Sequence, residues 1–369
     1  MGVNANRLTR TGQIAPVASL LPGSLAFEGE RRRPGGSAAR VVRSIDIMAR
    51  GSGRFVISLD FELHWGVRDH STVEQYRENL LGVREAIPAM LDLFRRYETR
   101  ATWATVGMLY AESKQQLLEW LPSRKPRYAD RALSPYEAIE REVGDDETAD
   151  PFHFAPSLIR KIAATPGQEL GTHTFSHFYC LEAGQTAEDF EADLRAAQRA
   201  SAGFHEPPRS IVFPRNQLNP AYLSVLDRCG IVAMRGNGEH WAYEARPYAE
   251  ESPARRAMRL LDAYAPIVST TRSIHRSPGK GPTDVPASVF FRPFNKRLAR
   301  AEPVRLLRIE TAMTRAAREG GLFHLWWHPH NFGANLRENL ANLGRILEHG
   351  RALDRRYGFA SSTMAEAAN

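Results

Sequence analysis

Residues 55–64 read Phe55-Val56-Ile57-Ser58-Leu59-Asp60-Phe61-Glu62-Leu63-His64. A short apolar run, typical of a buried strand, is followed at once by acidic and imidazole side chains. Downstream, apolar segments of strand length alternate with amphipathic segments of helix length. This alternation predicts a parallel sheet in an α/β fold, where ligand-binding residues collect at the carboxyl ends of strands.

The alternation predicts a single domain over residues 51–369. Strands are predicted at 55–59, 99–106, 169–170, 210–213, 231–234 and 322–327. Helices are predicted at 73–97, 156–164, 187–202, 222–229, 301–319 and 336–355. The polar, proline-containing segment at about 111–155 is too long for a plain connection, so we expect an insertion or a lid there.

Composition indicates a globular protein with a basic tail. The chain has 369 residues, of which 43% are hydrophobic and 25% charged. Its formal net charge of +7 lies mostly in residues 1–50, which hold eight arginines against three acidic residues and are rich in Gly, Ser, Ala and Pro. We expect that segment to be a disordered N-terminal tail. The remainder has no basic stripe interleaved with aromatic residues, so nucleic acid is not an expected partner.

The sequence also bears on location. No run of eighteen apolar residues occurs, so a membrane span is not expected. The segment 14–27 is weakly apolar and is interrupted by two prolines, which argues against a secretory signal peptide. Two cysteines do not make a disulfide framework in a chain of this length. We therefore expect a cytoplasmic protein, whose oligomeric state no pattern indicates.

A pair of histidines stands in the segment Gly171-Thr172-His173-Thr174-Phe175-Ser176-His177. On a helical turn, residues i and i+4 lie on one face, so both imidazoles can bind one metal ion at about 2.0–2.1 Å. By itself the pair fits two unrelated polar histidines equally well. Its position directly after a predicted strand favours the metal site.

Other polar residues share that position at strand ends. They are Asp60, Glu62, Arg215, Arg235 and His328. Because a chance arrangement would scatter them over surfaces and helices, we expect one site at this edge of the sheet.

The two acidic residues of this set predict a division of roles. Asp60 and Glu62 are two residues apart, so on an extended chain their side chains point the same way. Two histidines and one carboxylate hold a hydrolytic metal ion with a position left for water, and the second carboxylate would act as general base. The alternative is that both acids only cap the following turn or pair with Arg68 and Arg215.

The last predicted strand supplies further candidates. In His324-Leu325-Trp326-Trp327-His328-Pro329-His330, residues 324, 326 and 328 share one face. His328 lies nearest the strand end, and histidine is a natural proton donor to a leaving amine or alcohol. His324 is expected to be a core histidine with a hydrogen-bond partner, and His330 is a minor candidate.

Three residues are predicted to bind the substrate. Trp241 and Trp326 are candidates to stack on a sugar ring, and Arg235 stands at a strand end beside the predicted site.

The order of Ser58-Leu59-Asp60, the His173 to His177 element, Phe213-Pro214-Arg215 and Trp327-His328 resembles the NodB-homology polysaccharide deacetylases, carbohydrate esterase family 4. The resemblance covers roughly residues 54–366. It implies a distorted, incomplete (β/α)7-type barrel and metal-dependent removal of acetyl groups from a glycan. It further implies that Asp60 is the catalytic base, that His173 and His177 bind the metal, that Arg215 orients the base and that His328 is the general acid.

The chain departs from the usual pattern of that family. Two adjacent aspartates are usual, whereas here Phe61 follows Asp60 and the second acid is Glu62, as in an Asp-x-Glu variant branch. The usual Asp-Trp element and the proline-rich continuation after Arg215 are missing. Glu62 is therefore the expected but less secure third ligand of a divalent metal ion, most simply Zn²⁺.

Three functions follow from this interpretation. The first is a deacetylase, acting on N-acetyl or O-acetyl groups of a carbohydrate or polysaccharide precursor. The second is a hydrolase of cyclic amides or imides on the same fold. The third is a catalytically inert glycan-binding protein.

Overall fold

The computed structural model describes residues 52–265, 267–268, 270–274 and 281–369. The expected disordered tail at residues 1–50 lies outside this part of the chain. The described residues belong to one compact unit.

Within these ranges, nine parallel strands form one sheet. They are β1 (Arg54–Phe61), β2 (Ala101–Thr105), β3 (Gln168–Thr172), β4 (Ser210–Ile211), β5 (Ala233–Met234), β6 (Thr283–Asp284), β7 (Val289–Phe290), β8 (Leu322–Trp327) and β9 (Ala360–Ser362). The order is β6-β5-β4-β3-β2-β1-β8-β7, and β9 pairs with the first half of β1. No described pairing joins β6 to β7, so the curled sheet does not close. This confirms the distorted, incomplete (β/α)7-type barrel.

Helices connect the strands. They are α1 (Val73–Arg96), α2 (Lys114–Glu119), α3 (Tyr136–Glu142), α4 (Pro156–Ala163), α5 (Ala187–Ser201), α6 (Leu223–Arg228), α7 (Pro253–Asp262), α8 (Glu302–Glu319), α9 (Leu336–Tyr357) and α10 (Met364–Ala368). Short 3₁₀ turns occupy Leu63–Gly66, Gly107–Tyr110, Arg131–Leu133, Pro214–Asn216, Pro220–Tyr222, Trp241–Tyr243, Tyr248–Glu250, Lys296–Ala301 and Pro329–Phe332. None of the described helices is long and apolar enough to cross a membrane.

Strand β1 shows how the sequence separates core from site. Phe55, Ile57, Leu59 and Phe61 are buried in the main hydrophobic core, which also holds apolar residues of α1, α8 and α9. Ser58 and Asp60 alternate with these residues, so they point to the opposite face of the sheet. The strand thus places a carboxylate at its carboxyl end, inside the barrel.

The predicted insertion at 111–155 contains α2 and α3 and packs against the turn after β1. The indole nitrogen of Trp65 donates a hydrogen bond to the carbonyl oxygen of His153 at 2.9 Å, and His153 Nε2 lies 2.9 Å from His64 Nδ1. Asp150 Oδ2 accepts a hydrogen bond from His153 Nδ1 at 2.7 Å. Residues 150–153 therefore fix the segment that follows Glu62.

Candidate active site

The carboxyl ends of several strands meet at one cavity of about 440 Å³. It is lined by Asp60, Glu62, Gly66, Val67, His70, Tyr76, His173, His177, Arg215, Asn216, Phe290, Pro293, Trp326, His328, His330 and Asn331. Both predicted carboxylates, both predicted metal-binding histidines and the predicted acid histidine are in this set. The strand-end pattern of the sequence thus predicted residues that do lie around one cavity.

Glu62, His173 and His177 form a buried cluster whose ligand atoms all lie within 4.8 Å of one another. Glu62 Oε2 is 3.2 Å from His173 Nε2 and 3.1 Å from His177 Nε2. Two histidines and one carboxylate are the donor set of hydrolytic zinc sites. The three residues therefore fit a divalent cation.

The outer nitrogens of both rings are held by neighbouring groups. His173 Nδ1 donates to the carbonyl oxygen of Val212 at 2.8 Å, and His177 Nδ1 lies 3.1 Å from the hydroxyl oxygen of Tyr179. These contacts leave Nε2 of each ring directed at Glu62, as in metal sites where a second group fixes the ligand tautomer. Burial lowers the pKa of His177 to about 4, although Glu62 opposes the shift. The ring is therefore neutral near pH 7, as ligation requires.

The loop that carries the two histidines is not a helical turn, which corrects the geometry expected from their spacing. Thr174 has φ 65° and His177 has φ 57°, both in the left-handed region. Asp193 on α5 accepts hydrogen bonds from the backbone nitrogens of Phe175 at 2.6 Å and Ser176 at 3.2 Å and from the Ser176 hydroxyl. These bonds to a buried carboxylate fold the loop so that the imidazoles converge.

Asp60 is held by Arg235. The guanidinium donates from Nη1 to Oδ1 at 2.6 Å and from Nη2 to Oδ2 at 2.8 Å. Both side chains are buried. Burial alone would raise the pKa of Asp60, but the charge and hydrogen bonds of Arg235 and the charges of His173 and His328 together outweigh it, and the pKa lies below its usual value. The carboxylate is ionised and faces the cavity beside the metal-site cluster.

The prediction that Arg215 orients Asp60 is therefore wrong in its residue. Arg215 forms an ion pair with Asp69, and its guanidinium lies between the rings of Tyr179 and Tyr248, 4.5 and 4.4 Å from their centroids. Arg215 has φ 54°, which turns the chain sharply after β4. Arg235, which was predicted to bind substrate, contacts Asp60 instead, because the curled sheet brings the end of β5 close to the end of β1.

Further hydrogen bonds beyond those to Asp60 hold Arg235 in place. Its Nη1 also donates to Ser58 Oγ at 3.0 Å, and Ser58 Oγ lies 2.8 Å from His324 Nε2. His324 Nδ1 donates to the carbonyl oxygen of Val285 at 2.9 Å. The prediction of a core histidine with a hydrogen-bond partner is confirmed.

His328 lies at the mouth of the cavity. Its Nε2 is 3.5 Å from Glu62 Oε1 and 3.8 Å from Asp60 Oδ2, and its side chain is 24% exposed. The imidazole of His330 stacks on it, with ring centroids 5.2 Å apart. His330 is itself buried, and burial lowers its pKa to about 3. His328 is the more accessible of the two rings.

The two tryptophans that were predicted to bind substrate lie in different places. Trp326 lines the cavity; its ring covers the guanidinium of Arg235 at 4.1 Å and packs on Phe290 at 4.6 Å. Trp241 is 45% exposed in a 3₁₀ turn and lines neither this cavity nor the one beside it. A substrate contact of Trp241 therefore stays a prediction, and one that neither cavity supports.

Four residues that support the site were not predicted: Asp69, Tyr179, Asp193 and Tyr248. Asp193 lies within the predicted helix 187–202 and is fully buried. Tyr179 lies two residues after His177, and its aromatic type alone does not indicate a role. Their roles depend on tertiary contacts that no local pattern records.

Comparisons with known proteins concern the sequence pattern and the fold. The polysaccharide deacetylase family model matches residues 78–234, which include His173, His177 and Arg215. A Mycobacterium smegmatis protein assigned to the polysaccharide deacetylases superposes with a TM-score of 0.54 at 14% identity, covering 86% of this chain and 90% of that one. A Pseudomonas aeruginosa PAO1 protein assigned likewise gives 0.50 at 11% identity, covering 85% and 88%. No curated protein sequence matches significantly.

At these identities the two structures establish the fold. The family model adds a sequence pattern within that fold: residues 78–234 are similar to the polysaccharide deacetylase family.

Proposed function

We propose that this protein is a metal-dependent hydrolase that removes acetyl groups from a carbohydrate. One observation carries the proposal: the Glu62, His173 and His177 donors lie within 4.8 Å of one another, in a cavity that Asp60 also lines. The similarity of residues 78–234 to the polysaccharide deacetylase family supports a carbohydrate substrate. The arrangement provides three metal-binding groups and leaves one carboxylate available for proton transfer.

Zn²⁺ is the cation we propose, because its preferred ligands are imidazole nitrogens and carboxylate oxygens in a four-coordinate site. When bound, such an ion acts as a Lewis acid and lowers the pKa of water to about 7. Glu62, His173 and His177 would hold it. Their burial excludes bulk water from three sides of the site.

Asp60 is the proposed general base. Its ionised carboxylate can take a proton from the attacking water, and the two hydrogen bonds from Arg235 fix its orientation. His328 is the proposed general acid, because its Nε2 faces the same cavity and reaches both carboxylates within 4 Å. It would protonate the departing amine of an N-acetyl sugar, or the alcohol of an O-acetyl one.

The shape of the site favours a glycan over a cyclic amide. A second cavity of about 350 Å³ adjoins the first and shares Arg215, Asn216, Phe290 and Trp326 with it. The two together offer room for more than one ring. The presence of the base, the acid and three metal-binding groups also favours an enzyme over an inert binding protein.

Acetate release tests the proposal. The purified protein is incubated with a panel of N- and O-acetylated sugars, with chelator and after addition of Zn²⁺. We expect acetate from at least one sugar, loss of activity with chelator and recovery with metal. His177→Ala should lose bound metal, whereas His349→Gln, a half-buried histidine in a different groove, should keep it.

Two outcomes would contradict the proposal. Undiminished turnover in metal-free protein would exclude metal dependence. Hydrolysis of cyclic imides with no acetate from any sugar would favour the second function.

A further inference from the structure

The second cavity differs from the first in charge. The first is lined by Asp60, Glu62 and Arg215, whereas the second is lined by five arginines and three carboxylates. Phe290 and Trp326 form a shared wall between them. A ligand that occupied both cavities would therefore meet an excess of arginines over carboxylates in the second. The second cavity has a volume of about 350 Å³, which lies in the ~300–1,000 Å³ range of small-molecule sites.

Four of the five arginines in the second cavity are neutralised by carboxylates. The ion pairs are Arg215 with Asp69, Arg246 with Glu244, Arg259 with Glu251, and Arg308 with Asp262. Asp262 is used further, since it also accepts hydrogen bonds from the Tyr243 hydroxyl and from two backbone nitrogens.

Arg292 is the exception. Within the described ranges it makes no ion pair and no hydrogen bond, and its guanidinium carbon lies 5.9 Å from the centroid of the Phe290 ring. Burial lowers the pKa of Arg292, and the positive charges of Arg259 and Arg305 lower it further. A half-buried cation next to two like charges gains more from an anionic partner than an exposed one.

We propose that the second cavity binds an oxyanion of the substrate, with Arg292 as its main partner. This inference rests on the proposed function, because it assumes that the acetylated sugar lies in the first cavity. A guanidinium presents two parallel donors that match a carboxylate or a phosphate. The substrate is then an acetylated sugar that carries a carboxylate or phosphate on the side facing this cavity. The ring of Tyr248, 46% exposed at the rim, is available for contact with the neighbouring sugar.

Matched substrates test the proposal through turnover. One pair is N-acetylglucosamine linked to glucuronic acid and the methyl ester of the same disaccharide. The other is N-acetylglucosamine 1-phosphate and the methyl glycoside of N-acetylglucosamine. We expect the anionic member of at least one pair to have a KM lower by roughly tenfold or more, which is the effect of a hydrogen bond to a charged group. The two pairs distinguish carboxylate from phosphate.

Variants assign the effect to Arg292. Arg292→Gln should raise the KM for the anionic member and remove the preference, and Arg292→Lys should restore part of it. The control is Arg300→Gln, which removes the same charge from an exposed arginine without an ion pair among the described residues. It should keep the preference. An active wild-type enzyme with no preference in either pair would overturn the proposal, as would an equal loss in Arg300→Gln.

Binding provides a readout independent of turnover. Calorimetry on the whole chain with glucuronate and with glucose 1-phosphate should give a Kd at least roughly tenfold weaker in Arg292→Gln than in wild type. Equal binding by both proteins, or no binding of either ligand by wild type, would reject the anion site. Binding without acetate release from any substrate would instead reject the proposed function and leave the anion site supported.

Discussion

Arg235 grips both carboxylate oxygens of Asp60, at 2.6 and 2.8 Å, although 175 residues separate them in sequence. Such a bidentate pair fixes the plane of the carboxylate as well as its charge. Because the pair is buried, removal of one partner leaves the other charge uncompensated, at a cost of about 3–5 kcal/mol. The contact thus couples the stability of the fold to the orientation of the proposed base.

Replacement of Arg235 should change the pH dependence of activity. The charge of Arg235 lowers the pKa of Asp60 against the effect of burial. In Arg235→Gln that pKa rises, so the acid limb of kcat/KM moves to higher pH. Arg235→Lys keeps the positive charge but loses the paired hydrogen bonds to both carboxylate oxygens. The acid limb of kcat/KM should therefore move less than in Arg235→Gln, while kcat still falls.

The comparison variant is Arg215→Lys, whose ion pair is with Asp69. It should leave the acid limb in place. A limb that moved in Arg215→Lys and stayed fixed in both Arg235 variants would return the orienting role to Arg215.

Asp60→Asn separates proton transfer from metal binding. The variant cannot accept a proton, so we expect kcat to fall by about 10²–10⁴-fold. Metal content measured by elemental analysis should remain near that of wild type, since Glu62, His173 and His177 form the cluster without Asp60. Loss of metal from Asp60→Asn would show that Asp60 is a ligand.

Asp193 should control the metal site without touching it. Its carboxylate accepts hydrogen bonds from two backbone nitrogens and one hydroxyl of the loop between His173 and His177. Asp193→Ala leaves these donors unsatisfied, so metal affinity should drop by about 10–100-fold, as when other supporting groups of ligands are removed. Competition with a chromogenic chelator measures this. Unchanged affinity would mean that the loop holds its shape without Asp193.

The two tryptophans give opposite expectations. Trp326→Ala removes a wall of the cavity and the cover of Arg235, so KM should rise and kcat should fall. Trp241→Ala should change neither, because Trp241 lies outside both cavities. Steady-state kinetics on one acetylated sugar distinguish the two. A higher KM in Trp241→Ala alone would support the original prediction.

His324 should make stability depend on pH. Burial lowers its pKa from 6.5 to about 3, so the folded protein binds this proton more weakly than the unfolded chain. The stabilising effect is complete above pH 6.5 and is lost as pH falls toward 3, with a slope of about 1.4 kcal/mol per pH unit at most.

Urea unfolding at pH 5 and pH 7 tests this linkage. His324→Gln should be more destabilising at pH 7 than at pH 5, because the variant lacks the titrating group. Equal destabilisation at the two pH values would contradict it.

The sequence predicted the elements with strong periodicity and the residues at their ends. Helix α1 begins at Val73, as predicted, and its N-cap Thr72 forms a capping box with Gln75 in the first turn. Strand β8 spans Leu322–Trp327, also as predicted. By contrast, β6, β7 and β9 are two or three residues long and were missed, since so short a segment has no measurable period. Helix α7 was missed although Ser252 and Pro253 mark its start.

The site residues also divide into those that the local pattern predicts and those that it does not. His173, His177, Glu62, Asp60 and His328 were found because each follows a strand, and parallel strands end at one edge. The partner of Asp60 was misassigned because Arg215 and Arg235 both follow predicted strands. In the sheet, Met234 pairs with Ile211, so Arg235 directly follows the paired residues, whereas Arg215 lies in the turn beyond β4 and pairs with Asp69. The local pattern does not contain this register.

The hydroxyl of Ser58 joins three distant parts of the chain, since Arg235 and His324 both contact it and lie 177 and 266 residues away. Contacts of such long separation form slowly, because a long loop must close first. A ribosome adds about 5–20 residues per second, so Arg235, the counter-ion of Asp60, is synthesised many seconds after Asp60. A nascent chain that ends before Arg235 would hold the His173 and His177 loop but no counter-ion for Asp60, and the proposed site is complete only once His324 and His328, in the last third of the chain, have been added.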